Sequence, residues 1–456
     1  MTALAHGIGG IRDLPVPGWL FFYGAALVLI LSFVAFAVLW KEPRLERAQH
    51  GRALPPRLQR LLLSPVLHAL TKTVSFALLV VVGLAAILGE PSAQQNLAPT
   101  FVFVVFWLGL VPVVALLGNV WPALNPWRAP ADAIAWLWRR AGRSWEPMAG
   151  YPERLGCWPA ALLLFAFTAY ELAYPEPASP RALALAIYLY SAITWYGMLW
   201  FGRETWTRSG EAFSVYFGLL SRVAPFGTRD GDGEREIVIR PPLTGLARAT
   251  ARAGTFAFVA VMLGSVAFDG LSRTPLWLDR RFAVQTAVAS SQLGRDVVGA
   301  LFNLAGLLFV VGLVAVAYAV AVAGARAFAH VERPLVDAFL ASLIPIALAY
   351  VVAHYFSLLI LQGQVAIRLA SDPFGRNWNL FGTAGFNPDL TLLSPNLVWY
   401  VQVAALVTGH VAGLLVAHDR AISLFRGAAT AVRTQYAMLV LMVLYTVGGL
   451  WLLSTG

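Results

Sequence analysis

Charged residues are scarce in this chain, at 12% of the sequence, about half the share expected of a soluble protein. Hydrophobic residues supply 59% and fall in long unbroken runs, which excludes a soluble globular fold. Cysteine is nearly absent. Cys157 stands alone, so an internal disulfide and any CxxC metal or redox motif are excluded. Also lacking are GxxxxGK[ST], GxSxG and HExxH, which removes the motif support for nucleotide-driven pumping and for the familiar serine and zinc hydrolases. Residues 1–20 lack the charged start and cleavage site of a secretory signal, so the first apolar run is expected to be retained as an insertion signal.

What is present is a succession of apolar runs of membrane-spanning length. Hydropathy places ten spans at 19–40, 70–89, 99–118, 157–174, 181–201, 254–270, 298–324, 336–363, 397–417 and 437–453. Residues 283–297 are a candidate partial helix before span 7. The predicted fold is an all-α polytopic transmembrane helix bundle, one integral membrane domain over residues 1–456. The net charge of +10 does not form a nucleic-acid surface, because no Lys/Arg block interleaves with aromatics. The basic residues instead alternate between loops. With both termini outside, only Arg12, Arg181, Arg273, Arg280, Arg281, Arg295, Arg368 and Arg376 of the 33 Lys and Arg residues fall on the outer side. That bias is what the positive-inside rule demands of cytoplasmic loops in a bacterial plasma-membrane protein.

Three connecting segments carry information. Residues 41–60 form a basic connector near anionic headgroups. Residues 203–252 make a cytoplasmic inter-span segment, with an interfacial helix expected over Glu211–Val223, a solvated turn over Gly227–Gly233 and a short strand over Glu236–Arg240. Residues 364–396 mix Gly, Asn, Asp and Pro with Phe and Trp, a composition suited to an ordered outer lid.

Ionisable groups inside a bilayer are costly and mark function by default. His354 in span 8 and His410 in span 9 sit ten to thirteen residues from the outer ends of antiparallel helices, and so at similar depth. Tyr350, Ser357 and Gln364 lie within about 80° of His354 on a helical wheel. Gln402 and Gly413 share the arc of His410, and Gly409 with Gly413 makes a GxxxG that permits close helix contact. The expected site therefore lies between spans 8 and 9, on His354 and His410, with Gln362 or Gln364 at its outer mouth. Packing by hydrogen bonds is the competing reading of both histidines. A divalent metal on His354 and His410 is a further candidate, and haem a weaker one, since zinc wants three or four protein ligands.

A second polar cluster gathers at the cytoplasmic ends, with His330, Asp337, His418 and Asp419; a solvated cap is the simplest reading and a proton entrance the sharper one. Asn119 and Asn125, in GNVWPALNPWR, suit a headgroup-level turn. Glu171 and Asp269 read as carboxylates near the outer ends of spans 4 and 6, able to line a vestibule.

The stretches GNVWPALNPWR (118–128), EAFSVYFGLLSRVAPF (211–226), FDGLSRTPLW (268–277), AHYFSLLILQGQ (353–364), SDPFGRNWNLFGTA (371–384) and GHVAGLLVAHDRA (409–421) resemble an actinobacterial family of multi-pass membrane proteins labelled fenitrothion-hydrolase-like. The resemblance implies hydrolysis of an organophosphate ester, and so a metal-dependent phosphotriester-type hydrolase. His354, His410, His418 and Asp419 fall within the matching stretches. Three functions are thus expected to compete. One is a transporter or permease for a small solute or ion, using the buried histidines. The others are that membrane-embedded hydrolase and a membrane anchor or assembly subunit of a redox complex with a partner.

Overall fold

Lipid offers no partner to a backbone N–H or C=O, so apolar runs of this length can satisfy themselves only as helices. The computed structural model describes residues 18–48, 51–231, 234–247, 249–328, 335–425 and 427–455. Among these, ten helices are long and apolar enough to cross a membrane. The chain is a multi-pass, all-α helix bundle. Its principal helices are α1 (Gly18–Leu39), α2 (Pro65–Leu88), α3 (Leu97–Leu117), α4 (Trp158–Ala173), α5 (Pro180–Phe201), α6 (Ala212–Leu220), α7 (Thr255–Ser272), α8 (Pro275–Val288), α9 (Gln292–Ala325), α10 (Leu343–Gly363), α11 (Pro395–Leu424) and α12 (Tyr436–Thr455). All of them except α6 and α8 carry the expected spans.

Two spans are enclosed by protein rather than lipid. In α7 the most apolar window is 78% buried, and in the helix ending in α10 it is 67%, against 39% or less in the other eight. These two helices form the centre of the bundle. Helix α11 packs closely on α10, and the GxxxG explains how. A Cβ at Gly409 would stand 2.1 Å from the Ala349 Cβ, and one at Gly413 would stand 2.7 Å from the Ser342 carbonyl oxygen. Only glycine lets the two backbones meet at that distance.

Helix α3 departs from α-helical geometry over Phe101–Leu108, which is π-helical. The Gly109 N–H reaches back five residues to the Val104 carbonyl at 2.9 Å, the bonding pattern of a π turn. Pro112 follows, without an N–H for the Leu108 carbonyl four residues before it.

Several connecting segments differ from expectation. Residues 283–297 hold the end of α8 and the start of α9, joined by a turn at 289–291: α8 folds back on α9, which at 34 residues is ~51 Å long and outreaches a hydrocarbon core of about 30 Å. The turn expected over Gly227–Gly233 is largely strand β2 (Phe226–Gly231), paired antiparallel with β3 (Glu234–Ile239). Arg52–Ala53 of the first connector adds β1, in the order β1-β3-β2. The β-branched residues of β3 favour a strand, and Arg229 pairs with Glu236 across it at 2.9 Å, so pairing overrides the turn tendency of Gly and Asp.

The largest difference concerns α6. Expected to lie in the interface, it is instead enclosed: Ala212, Phe213, Tyr216, Phe217 and Leu220 are all buried. Phe213 packs on Phe106, Phe167 and Tyr190, with ring centroids 4.7, 5.4 and 5.1 Å away. Those three rings stand in the interiors of α3, α4 and α5, so α6 re-enters the bundle. Non-spanning backbone is tolerated at that depth only when protein surrounds it.

The segment 364–396, expected to form an outer lid, is held in place by hydrogen bonds. Gln364 pairs with the Asp389 backbone in both directions, at 3.1 and 3.0 Å. Pro373 and Phe374 carbonyls accept from Leu97 and Glu90 N–H, and Arg376 donates to the Leu88 carbonyl.

Candidate functional site

The central helices bring their ionisable residues together. Asp269, three residues from the end of α7, is 1% exposed. Its Oδ1 accepts from Arg273 Nε at 3.0 Å and Nη2 at 2.6 Å. Its Oδ2 accepts from His354 Nε2 at 2.8 Å and from the Tyr355 hydroxyl at 2.8 Å. Glu171 on α4 lies within electrostatic reach of Asp269 and Arg273. Local sequence accounts for part of this. Asp269 and Arg273 are four apart, so their side chains share one helix face, with the cation at the C-terminal end where the helix dipole favours it. His354 and Tyr355 are adjacent on α10, and their rings stand perpendicular at 4.6 Å.

An ionised carboxylate only accepts hydrogen bonds, so His354 Nε2 carries a proton here, and a further proton would go to Nδ1. The Asp–Arg pair is neutral by itself. Protonating His354 therefore changes the charge of the group inside a low-dielectric interior, where such a change has its largest electrostatic effect. This is a site that can hold and release a proton or engage a charged solute.

The pairing of the two histidines does not form: neither ring has the other as hydrogen-bond partner. His410 is fully buried and its Nδ1 donates to the Leu406 carbonyl one turn back, at 2.8 Å. Its Nε2 has no hydrogen-bond partner among the described residues. Tyr350, expected on the arc of His354, faces His410 (centroids 6.0 Å apart) and donates to the Tyr445 carbonyl at 2.8 Å. The wheel placed these groups on a common arc, but it could not supply the rotation of α10, which turns His354 to α7 and Tyr350 to α12. Of the remaining expected residues, Ser357 is buried, Gln362 and Gln402 are half-buried on α10 and α11, and Gln364 ties down the segment 364–396. Among the described residues no group of three or more His, Cys, Asp or Glu side chains could hold a metal ion.

The cluster expected at the cytoplasmic ends is also rearranged. His418 and Asp419 are each 1% exposed and are not a solvated cap. His418 Nδ1 meets Gln435 Oε1 at 3.2 Å, and its Nε2 meets the Trp40 carbonyl at 3.1 Å. Asp419 accepts from Trp40 Nε1 at 2.8 Å and Leu45 N–H at 3.1 Å. Together they latch the end of α1 to α11. Asp337 is exposed, and His330 lies outside the described residues.

A third buried carboxylate, besides Asp269 and Asp419, escaped sequence reasoning. Glu211 is 0% exposed and caps α6, accepting from the N–H groups of Phe213 and Ser214 at 2.9 and 2.8 Å. Asn125 Nδ2 reaches it at 3.2 Å and Trp121 Nε1 at 3.4 Å, and the Tyr190 and Ser214 hydroxyls donate as well. Asn125, in the turn that ends with the Trp127 N–H on its Oδ1 at 3.0 Å, is thus buried against Glu211. The available signals were an acidic residue ahead of an apolar run and two asparagines among aromatics, and neither specifies the other.

Comparison with protein-family models, with curated proteins and with solved structures finds no match.

Proposed function

We propose that the protein is a transporter that couples the passage of a small solute or ion to a proton held at Asp269 and His354. The observation that carries this reading is the 2.8 Å contact between a buried carboxylate and an imidazole on the two central helices. Intramembrane ionisable pairs of this kind serve proton relays and solute binding. His354 keeps the role expected of it, but with Asp269 as partner instead of His410. The charge bias of the loops supports outside placement of both termini in a bacterial plasma membrane.

The hydrolase implied by the family resemblance would need a metal with three or four ligands. The described residues offer no such group, so transport is the better-supported reading.

The test uses purified protein in liposomes that enclose a pH-sensitive dye. Panels of amino acids, carboxylates, sugars and organic phosphates are added outside. A proton movement driven by at least one class is expected in the wild type. It should be lost in Asp269→Asn and His354→Gln and kept in His410→Phe. No solute-driven proton movement in the wild type, or its survival in Asp269→Asn, overturns the proposal.

A further inference from the structure

On the far side of α4 from the Asp269 cluster lies a slot of about 630 Å³ between α2, α3, α4 and α5. That is within the roughly 300–1,000 Å³ typical of ligand sites. Its walls are apolar and aromatic. Along α5 they run from Ala182 to Ile193, ~17 Å at 1.5 Å per residue, about one leaflet of the hydrocarbon core. The slot is therefore long and parallel to the helices.

Three features say what fits it. First, the rim residues Leu78, Leu185 and Leu189 are exposed on the apolar outer surface of the bundle, so the mouth opens to lipid and not to water. Second, the floor of Trp121, Trp127 and Phe213 is buried and has its polar groups engaged elsewhere. Trp127 Nε1 donates to Ser191 Oγ at 2.8 Å and Trp121 Nε1 to Ser214 Oγ at 3.1 Å. Tyr190 is committed to Glu211, and Tyr170 to the Pro177 carbonyl. Nothing on that floor is left to recognise a headgroup. Third, the π-helical stretch of α3 forms one wall through Phe101, Val102, Val105 and Phe106. Such stretches carry a weaker backbone bonding pattern and recur at functional sites.

We propose that this slot binds the hydrocarbon chain of one membrane lipid, which enters sideways past the exposed Leu185 and Leu189 of α5 and lies with its end on the Trp121–Trp127–Phe213 floor. The chain makes only apolar contacts there, and its headgroup stays at the mouth. This binding is independent of the Asp269 site and extends beyond the transport reading.

Photo-crosslinking tests it on the wild-type protein in nanodiscs. One probe is a phosphatidylcholine with a diazirine at the end of one acyl chain; a second carries the diazirine near the glycerol; a third is a diazirine-tagged polyprenyl phosphate. Peptide mass spectrometry reads the labelled residues. A bound chain labels Trp121, Trp127 or Phe213 from its end, positions that lipid surrounding the bundle cannot reach. Labelling of that floor by the first or the third probe tells a glycerolipid chain from a prenyl chain. The probe tagged near the glycerol should label the rim only. Filling the slot with Ala166→Phe and Ala186→Phe should remove the floor labels and leave those on Leu185. Labels confined to the rim in the wild type, whatever the variants do, overturn the proposal, as do floor labels that persist in a folded filled variant.

Discussion

Two of the buried carboxylates in this bundle, Glu211 and Asp269, are satisfied in opposite ways. Glu211 is surrounded by neutral donors: two backbone N–H groups, an amide, an indole and two hydroxyls. Asp269 has a guanidinium on one oxygen and an imidazole on the other. The first arrangement has no partner that titrates near neutrality. It anchors the N-terminus of a re-entrant helix, at the end where the helix dipole favours negative charge. The second contains the one side-chain type whose ordinary pKa lies near neutral pH. Burial alone does not separate scaffold from site; the chemistry of the partners does.

The largest effect on stability is expected at Glu211. Glu211→Ala leaves several buried donors without an acceptor, at about 1–3 kcal/mol for each unsatisfied group. A loss of about 3 kcal/mol or more is expected in chemical unfolding in detergent micelles. A loss below about 1 kcal/mol would mean that the network does not hold α6, and the contrast would fail. Asp269→Asn should cost less stability, about 2–3 kcal/mol from the Arg273 charge left unpaired, while removing solute-driven proton movement altogether. If Glu211→Gln, refolded and monodisperse, also removed that movement, the two carboxylates would not differ in role.

Tyr355→Phe sharpens the comparison at one bond. Asp269 keeps Arg273 and His354, so a stability loss of about 1.5–3 kcal/mol is the upper range for its single hydrogen bond to a charged group, with transport reduced but present. The smallest effect is expected at His410. Its Nε2 is unpartnered among the described residues, and the Leu406 carbonyl that its Nδ1 meets is one turn back in the same helix, where the backbone N–H of residue 410 is its regular partner, so losing the imidazole strands no acceptor. His410→Phe should shift unfolding by about 1 kcal/mol or less and leave proton movement intact. A full loss of transport there would return the site to α10 and α11.

The ten spans were legible because each depends only on local composition. The ends of most fall within a few residues of the hydropathy reading; the larger extensions, at the starts of the second, seventh and tenth and at the end of the ninth, are helix prolonged into the connectors. The close contact of α10 with α11 was equally legible, since Gly409 and Gly413 remove the side chains that would block it. The site was half legible. His354 was singled out because an intramembrane imidazole is rare, but its partner was assigned to the helix next in sequence. Asp269 and Glu171 were visible only as helix-end carboxylates, and Tyr355 and Arg273 carried no signal beyond their spacing.

The sequence by itself determined that this chain lives in a membrane, how many times its helices are able to cross, and which few residues are costly enough there to matter. Those properties follow from side-chain polarity and runs of apolar residues, which act locally. The tertiary structure alone decided that α7 and α10 are central, that α6 re-enters the bundle, that His354 turns to Asp269 and that α2 to α5 enclose a slot. Each depends on the rotation of helices far apart in the chain, and helix rotation in a bundle is set by packing against neighbours, not by any one helix's own sequence.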